Sequence, residues 1–128
     1  MISLNLPRPP SVNELYHNVS AKQKAIALSK GIKLRGRART EKYNAWRNEA
    51  GWMLLQQRQK PIKGRVSILC EVEDKGRVDV GNLEKAITDL LVLHKMIEGD
   101  GREVVRRIAM EWANVEGVRV TVQGIGEG

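Results

Sequence analysis

The chain has 128 residues, with 22 Lys and Arg against 15 Asp and Glu, a formal net charge of +7 and a pI near 9.9. Its length suits one domain and excludes two ordinary ones, and 41% hydrophobic with 29% charged residues is the balance of a folded globular chain. The charge excess favours an anionic partner, nucleic acid first and an anionic membrane surface second, while no run approaches the roughly 20 apolar residues of a membrane span.

Ile2, Leu4 and Leu6 alternate with Ser3 and Asn5, the period of a half-buried strand, and Pro7, Pro9 and Pro10 end it because proline cannot donate to a ladder. The same N-terminus lacks the basic start and apolar core of a secretory signal, so a cytoplasmic location is expected. Asn13 is suited to anchoring the loop that follows by bonding backbone groups. Residues 22–39 then carry Lys22, Lys24, Lys30, Lys33, Arg35, Arg37 and Arg39 with no acidic residue, and Gly31 and Gly36 interrupt any regular element. Such a run repels itself unless phosphates neutralise it. The expectation is a mobile basic loop, about residues 20–40, that orders on nucleic acid; a solvated loop without a partner is the plainer alternative.

Thr40 is a good N-cap, and Tyr43, Trp46, Ala50, Met53 and Leu54 recur at spacings of three and four, predicting a helix over about 41–59 closed by Pro61 and Gly64. Its aromatic and Met stripe reads as core. Val66, Ile68, Cys70 and Val72 alternate as a second strand, in which Cys70 is a small core residue. As the single cysteine it excludes an intrachain disulfide and points to a reducing compartment.

A second helix is predicted from about Val80 or Gly81. At about 100° per residue, Leu83, Ile87, Leu90 and Leu91 fall on one side, and Asn82, Lys85 and Asp89 share a separate, polar face. An acidic turn, Met96-Ile-Glu98-Gly-Asp100, follows. Val104, Ile108, Met110 and Trp112 support a third strand and Val118, Val120 and Val122 a fourth, joined as a hairpin around residues 114–117. Residues 123–128 are expected to fray. The predicted class is α+β: a small mixed four-stranded sheet covered on one face by two helices.

The stretch from Arg77 to Asp100 holds the candidate chemistry. Mg²⁺ takes oxygen ligands, usually one or two carboxylates with waters and a substrate phosphate. Asp79, before the helix, and Asp100, after it, supply such carboxylates if the fold returns the later loop to the helix start. Lys85 is placed to stabilise the transition state of phosphoryl chemistry, and the helix dipole adds attraction for phosphate. Each residue also has a plainer role: Asp79 as an N-cap, Lys85 and Asp89 as an i,i+4 pair, Asp100 as turn chemistry.

Arg77, Asp79, Asn82, Lys85, Asp89 and Asp100 together resemble the RusA family of Holliday-junction resolvases, small phage- and prophage-encoded endonucleases. The family pattern is an arginine-rich run, Asp-x-Asp-Asn-x-x-Lys, an Asp four residues on, and an acidic pair on the next loop. Leu6-Pro7-Arg-Pro9-Pro10-Ser11-Val-Asn13 is similar to the family's opening. The resemblance implies a Mg²⁺-dependent homodimer, with Mn²⁺ as a substitute, that nicks two strands of a four-way DNA junction symmetrically in recombination and repair. It assigns Asp79 and Asp100 to the metal and Lys85 to catalysis. Asn13, Asn82 and Asp89 become structural supports, and Lys30, Lys33, Arg35, Arg37, Arg39 and Arg77 DNA contacts. Gly81 and Gly99 stand where the family has aspartates, which implies weaker metal binding unless Glu98, Asp74 or a partner-subunit residue compensates. A non-catalytic junction- or duplex-binding protein of the same fold and an RNA-binding accessory protein are the alternatives.

Overall fold

The computed structural model describes residues 1–32 and 36–126. In chain order the elements are β1 (Ile2–Leu6), a 3-10 turn (Val12–Glu14), β2 (Tyr16–Asn18), α1 (Ala21–Ser29), β3 (Arg37–Arg39), α2 (Glu41–Gln57), β4 (Val66–Glu73), a second 3-10 turn (Val80–Leu83), α3 (Glu84–Leu93), β5 (Val105–Ala113) and β6 (Val118–Gly124). The main sheet has strand order β1-β6-β4-β5, and β2 pairs with β3 separately. Only β4 and β5 run parallel in the main sheet; the β1/β6 and β4/β6 pairs are antiparallel. The α+β class and the mixed four-stranded sheet are therefore as expected.

Period-2 alternation decides which face is dry. Ile2, Leu4, Leu6, Val66, Ile68, Cys70, Val72, Val118, Val120 and Val122 are all buried. Tyr43, Trp46, Ala50 and Leu54 from α2 and Leu83, Ile87, Leu90 and Leu91 from the α3 segment join them in one core. Burying each such aliphatic side chain is worth roughly 1.5–3 kcal/mol. Within this core the Cys70 thiol is pushed up to about 12 by burial, with the charge of Glu84 adding to the effect, so it is an inert core group.

Local bonds set the entry of α2. The Thr40 hydroxyl accepts from the Tyr43 N–H at 3.1 Å and donates to the Glu14 carbonyl at 2.6 Å. Trp46 Nε1 donates to the Pro7 carbonyl at 2.8 Å, fastening α2 to the proline turn after β1. Glu14 bonds Ser11 and the Lys42 ammonium, and Lys42 first, then the Ser11 N–H, holds its carboxyl below the usual range.

Three expectations are corrected. The basic segment contains α1 and β3 rather than only a mobile loop. Ser20 Oγ accepts from the Gln23 N–H at 3.1 Å and Gln23 Oε1 from the Ser20 N–H at 2.9 Å, a reciprocal cap that starts a helix rich in alanine. Lys33 and Arg35 lie outside the described residues. Next, β5 and β6 are not a hairpin: β4 lies between them, and residues 114–117 cross its end. There the Glu73 N–H donates to the Gly117 carbonyl at 2.8 Å and the Gly117 N–H to Glu73 Oε1 at 2.9 Å. Finally, the start of the expected frayed tail is ordered, because β6 pairs as far as Gly124 and the Ile125 N–H donates to the Arg65 carbonyl at 2.8 Å.

Gly117 is the tightest point of this crossing. Its φ is +67°, and an added Cβ would meet the Leu6 carbonyl oxygen at 2.5 Å. Both the left-handed backbone and the close approach of β1 require glycine. Gly117→Ala is expected to lower stability by about 2 kcal/mol or more in urea unfolding; an unchanged midpoint would show that the crossing relaxes freely.

Candidate functional site

Asp79 ends the β4 connection in extended backbone, φ −71° and ψ 134°, directly before the second 3-10 turn. Its carbonyl accepts from the Asn82 N–H at 2.9 Å, but its side chain makes no capping hydrogen bond. The carboxylate is exposed and chemically available, so capping does not account for it. The helix begins in 3-10 form, one turn ahead of α3, and its buried leucines and Ile87 hold it against the sheet. That packing turns Lys85 outward and leaves Asp89 half-buried on the same side, as the wheel predicts.

Lys85 Nζ lies 3.2 Å from Asp89 Oδ1. The hydrogen bond and the charge of Asp89 raise the Lys85 pKa, with Asp100 and Glu84 adding to the rise against a small burial penalty. At neutral pH Lys85 is therefore a cation, suited to stabilising negative charge and not to removing a proton. Its side chain is 50% exposed, so the pair contributes only about 0.3–0.5 kcal/mol to stability. A lysine with a raised folded pKa stabilises below its unfolded pKa and loses that contribution as pH rises through the folded value, here above 10.5.

Past Asp89 an open cleft of about 290 Å³ brings Asp89 and Asp100 together with Tyr16, Arg39, Tyr43 and Arg47. A ladder of rings and guanidinium groups forms its wall. Arg37 lies over Tyr16 at 5.0 Å, Tyr16 meets Tyr43 edge-on at 5.8 Å, and Arg47 lies over Tyr43 at 5.6 Å. Tyr43 in turn stacks on buried Trp46 with ring centroids 6.4 Å apart. Burial, then the nearby charge of Asp89, raises the Tyr43 phenol above its ordinary value.

Among the sequence-derived residues, Lys85 pairs with Asp89, Asp89 and Asp100 line one cleft, and Asp79 stands on the connection from β4, ahead of the same helix. Among the described residues no group of three His, Cys, Asp or Glu side chains is arranged to hold a metal ion. Glu98 Oε1 accepts from the Gly64 N–H at 3.0 Å, which ties it to the loop before β4. Asn13 is exposed and makes no side-chain hydrogen bond among the described residues; Ser11 and Glu14 tie that loop instead. Asn82 is half-buried at the 3-10 turn, and Arg77 is exposed on the loop before it. Arg39 Nε donates to Asn44 Oδ1 at 3.0 Å, and Lys30 lines an apolar groove beside α1.

Two arginines escaped the sequence reading. Arg47 follows Tyr43 by four residues, a spacing that places both on one side of α2, but an arginine on an amphipathic helix carries no mark separating a cleft from open solvent. Arg8 lies 5.6 Å from the Trp112 ring and beside Gly76, bracing the loop that leads to Arg77 and Asp79. At Gly81 an added Cβ would meet nothing within 4 Å, and at Gly99 only Val104 Cγ2 at 3.9 Å. Both positions have room for the missing aspartates.

A basic α+β domain that presents carboxylates and an ammonium on one helix face, beside a cleft walled by arginines, has the groups of an enzyme acting on phosphodiesters. The family model for the endodeoxyribonuclease RusA matches residues 17–123, and the chain belongs to that family of DNA-cutting enzymes. The match spans the whole stretch from Arg77 to Asp100 and begins after the proline-rich opening. No curated protein sequence matches the chain significantly.

Asp89→Asn should lower the Lys85 pKa relative to the parent, measured by NMR titration of the lysine side chain. Equal values in the two proteins would show that Asp89 does not hold the ammonium.

Proposed function

We propose that the protein is a Mg²⁺-dependent, structure-selective endodeoxyribonuclease that resolves four-way DNA junctions by paired symmetric nicks, working as a homodimer in recombination and repair. The observation that carries this reading is the polar face running from the free Asp79 carboxylate through Lys85 to Asp89 and Asp100, in a chain of the RusA family. A two-fold dimer with one site per subunit accounts for symmetric cutting. No helix among the described residues is long and apolar enough to cross a membrane, and a cytoplasmic DNA substrate is consistent with that.

The donor chemistry suits Mg²⁺. Asp79 and Asp100 offer hard carboxylate oxygens, and one or two carboxylates are the usual protein share of such a site. When bound, Mg²⁺, or Mn²⁺ in its place, supplies charge neutralisation at the phosphate and lowers the pKa of water. The chain's own groups do the rest. Lys85, kept cationic by Asp89 and Asp100, stabilises the negative charge that grows as a water oxygen bonds to phosphorus and the bond to the leaving oxygen breaks. Arg37, Arg39 and Lys30 on the β2/α1/β3 arm and Arg77 beside the site bind the DNA backbone, and their contacts weaken as salt rises.

The test is a synthetic four-way junction incubated with and without Mg²⁺. Paired nicks are expected only with the metal. Asp79→Asn or Asp100→Asn should abolish them, and Lys85→Ala should slow them by about 10²–10³-fold. Salt-sensitive binding with no cleavage at saturating protein and metal would instead define a DNA-binding module of the same fold. Gly81→Asp, entering open space, is expected to keep the parent's stability and tighten Mg²⁺ binding in calorimetry; unchanged affinity would remove Gly81 from the metal account.

A further inference from the structure

The cleft beside Asp100 has two walls of opposite sign. Asp89 and Asp100 stand on one, Arg39 and Arg47 on the other. The described ion pairs are Lys42–Glu14, Lys75–Glu73, Lys85–Asp89 and Arg119–Glu71, so neither arginine of the cleft closes on a carboxylate. Asp89 is engaged by Lys85, and Arg39 uses its Nε on Asn44. Arg47 is held differently, its guanidinium 5.6 Å over the ring of buried Tyr43. Stacking on a ring fixes the plane of a guanidinium while leaving its N–H donors free at the edge.

We propose that Arg47, with the terminal nitrogens of Arg39 beside it, is the phosphate-positioning site of this cleft, binding a backbone phosphodiester of the DNA next to Lys85 and Asp100. The inference rests on the nuclease reading for its substrate, but its argument lies in the cleft. A planar, pre-oriented guanidinium matches two phosphate oxygens with two parallel hydrogen bonds. The opposing carboxylates weaken but do not cancel the attraction of the arginines for a phosphate, and a divalent cation would remove that opposition, so Arg47 holds the phosphate without the ion and more tightly with it. The Tyr16–Tyr43–Trp46 ladder reaches the core, so Arg47 is aimed from a rigid base and little order has to be created on binding. Arg37, over Tyr16 at the outer end of the ladder, and Arg39, bonded to Asn44 of α2, lie on β3 next to the elements that carry the cleft.

Arg47→Gln and Arg47→Lys separate this role from others. Junction binding in EDTA as a function of salt should show a log–log slope about one unit shallower in Arg47→Gln for each Arg47 engaged, and a parental slope in Arg47→Lys. With Mg²⁺, kcat/KM for junction cleavage should fall about 10²-fold in Arg47→Gln and by a smaller factor in Arg47→Lys, which keeps charge but loses the fork. Parental slope and parental cleavage in Arg47→Gln would overturn the proposal. So would a loss of both accompanied by dissociation to monomer in sedimentation, which would place Arg47 against an acidic group of a second copy. If Arg47→Gln fails to fold, Arg47→Lys decides: slowed cleavage at parental slope supports the site, and parental cleavage overturns it. A parent that binds the junction without cutting would defeat the nuclease reading, while the salt slopes would still report on Arg47.

Discussion

The burial of Leu83, Ile87, Leu90 and Leu91 in the core they share with the sheet and α2 governs the rest of the molecule. A helix has one orientation in which four such side chains leave water together, and the opposite face follows from it at fixed angles. Because that stripe is buried, Lys85 and Asp89 have to lie outward, towards the loop that bears Asp100. The chemistry of the site is thus positioned by hydrophobic packing, and its own ion pair contributes little stability. The same division holds in α2, where Tyr43, Trp46, Ala50 and Leu54 enter the core and leave Arg47 at the mouth of the cleft.

What the sequence made legible follows its periodicities. β1, β4 and β6 alternate cleanly because one face is dry and the other wet, and their predicted positions agree with the structure to within a few residues. Pairing was not legible in the same way. Val118, Val120 and Val122 following closely on Trp112 look like the second half of a hairpin, and nothing local reveals that β6 passes over the end of β4 to lie on its other side. That choice is made by long-range contacts, with Gly117 and Glu73 as its only local traces. The basic segment was misread for a different reason. Its run of like charge suggests self-repulsion, although Lys22 and Lys24 on α1 and Lys30 at its C-terminal cap are exposed to water, which screens them, and the Ser20–Gln23 cap marks a helix start.

The site was legible in its residue types and less so in its grouping. Asp79, Lys85, Asp89 and Asp100 are all exposed or half-buried on the polar side of one segment, and the match to the RusA family covers them. How the carboxylates at the two ends of this segment group is set by the fold: α3 ends at Leu93, Asp100 lines a cleft with Asp89, and Asp79 stands directly before the 3-10 turn. Gly81 leaves the Asp79 end with one carboxylate and open space beside it. Arg39 and Arg47 join Asp89 and Asp100 at the cleft.

This arrangement makes the position of the ion the central quantity. Crystals of the protein with junction DNA and Mn²⁺, examined by anomalous scattering, would locate it directly. The account predicts an anomalous peak within direct coordination distance, roughly 2.0–2.3 Å, of an Asp100 carboxylate oxygen, with Lys85 on the phosphate beside it. An ion bound away from both Asp100 and Asp79, or no ion at all with the junction in place, would contradict it.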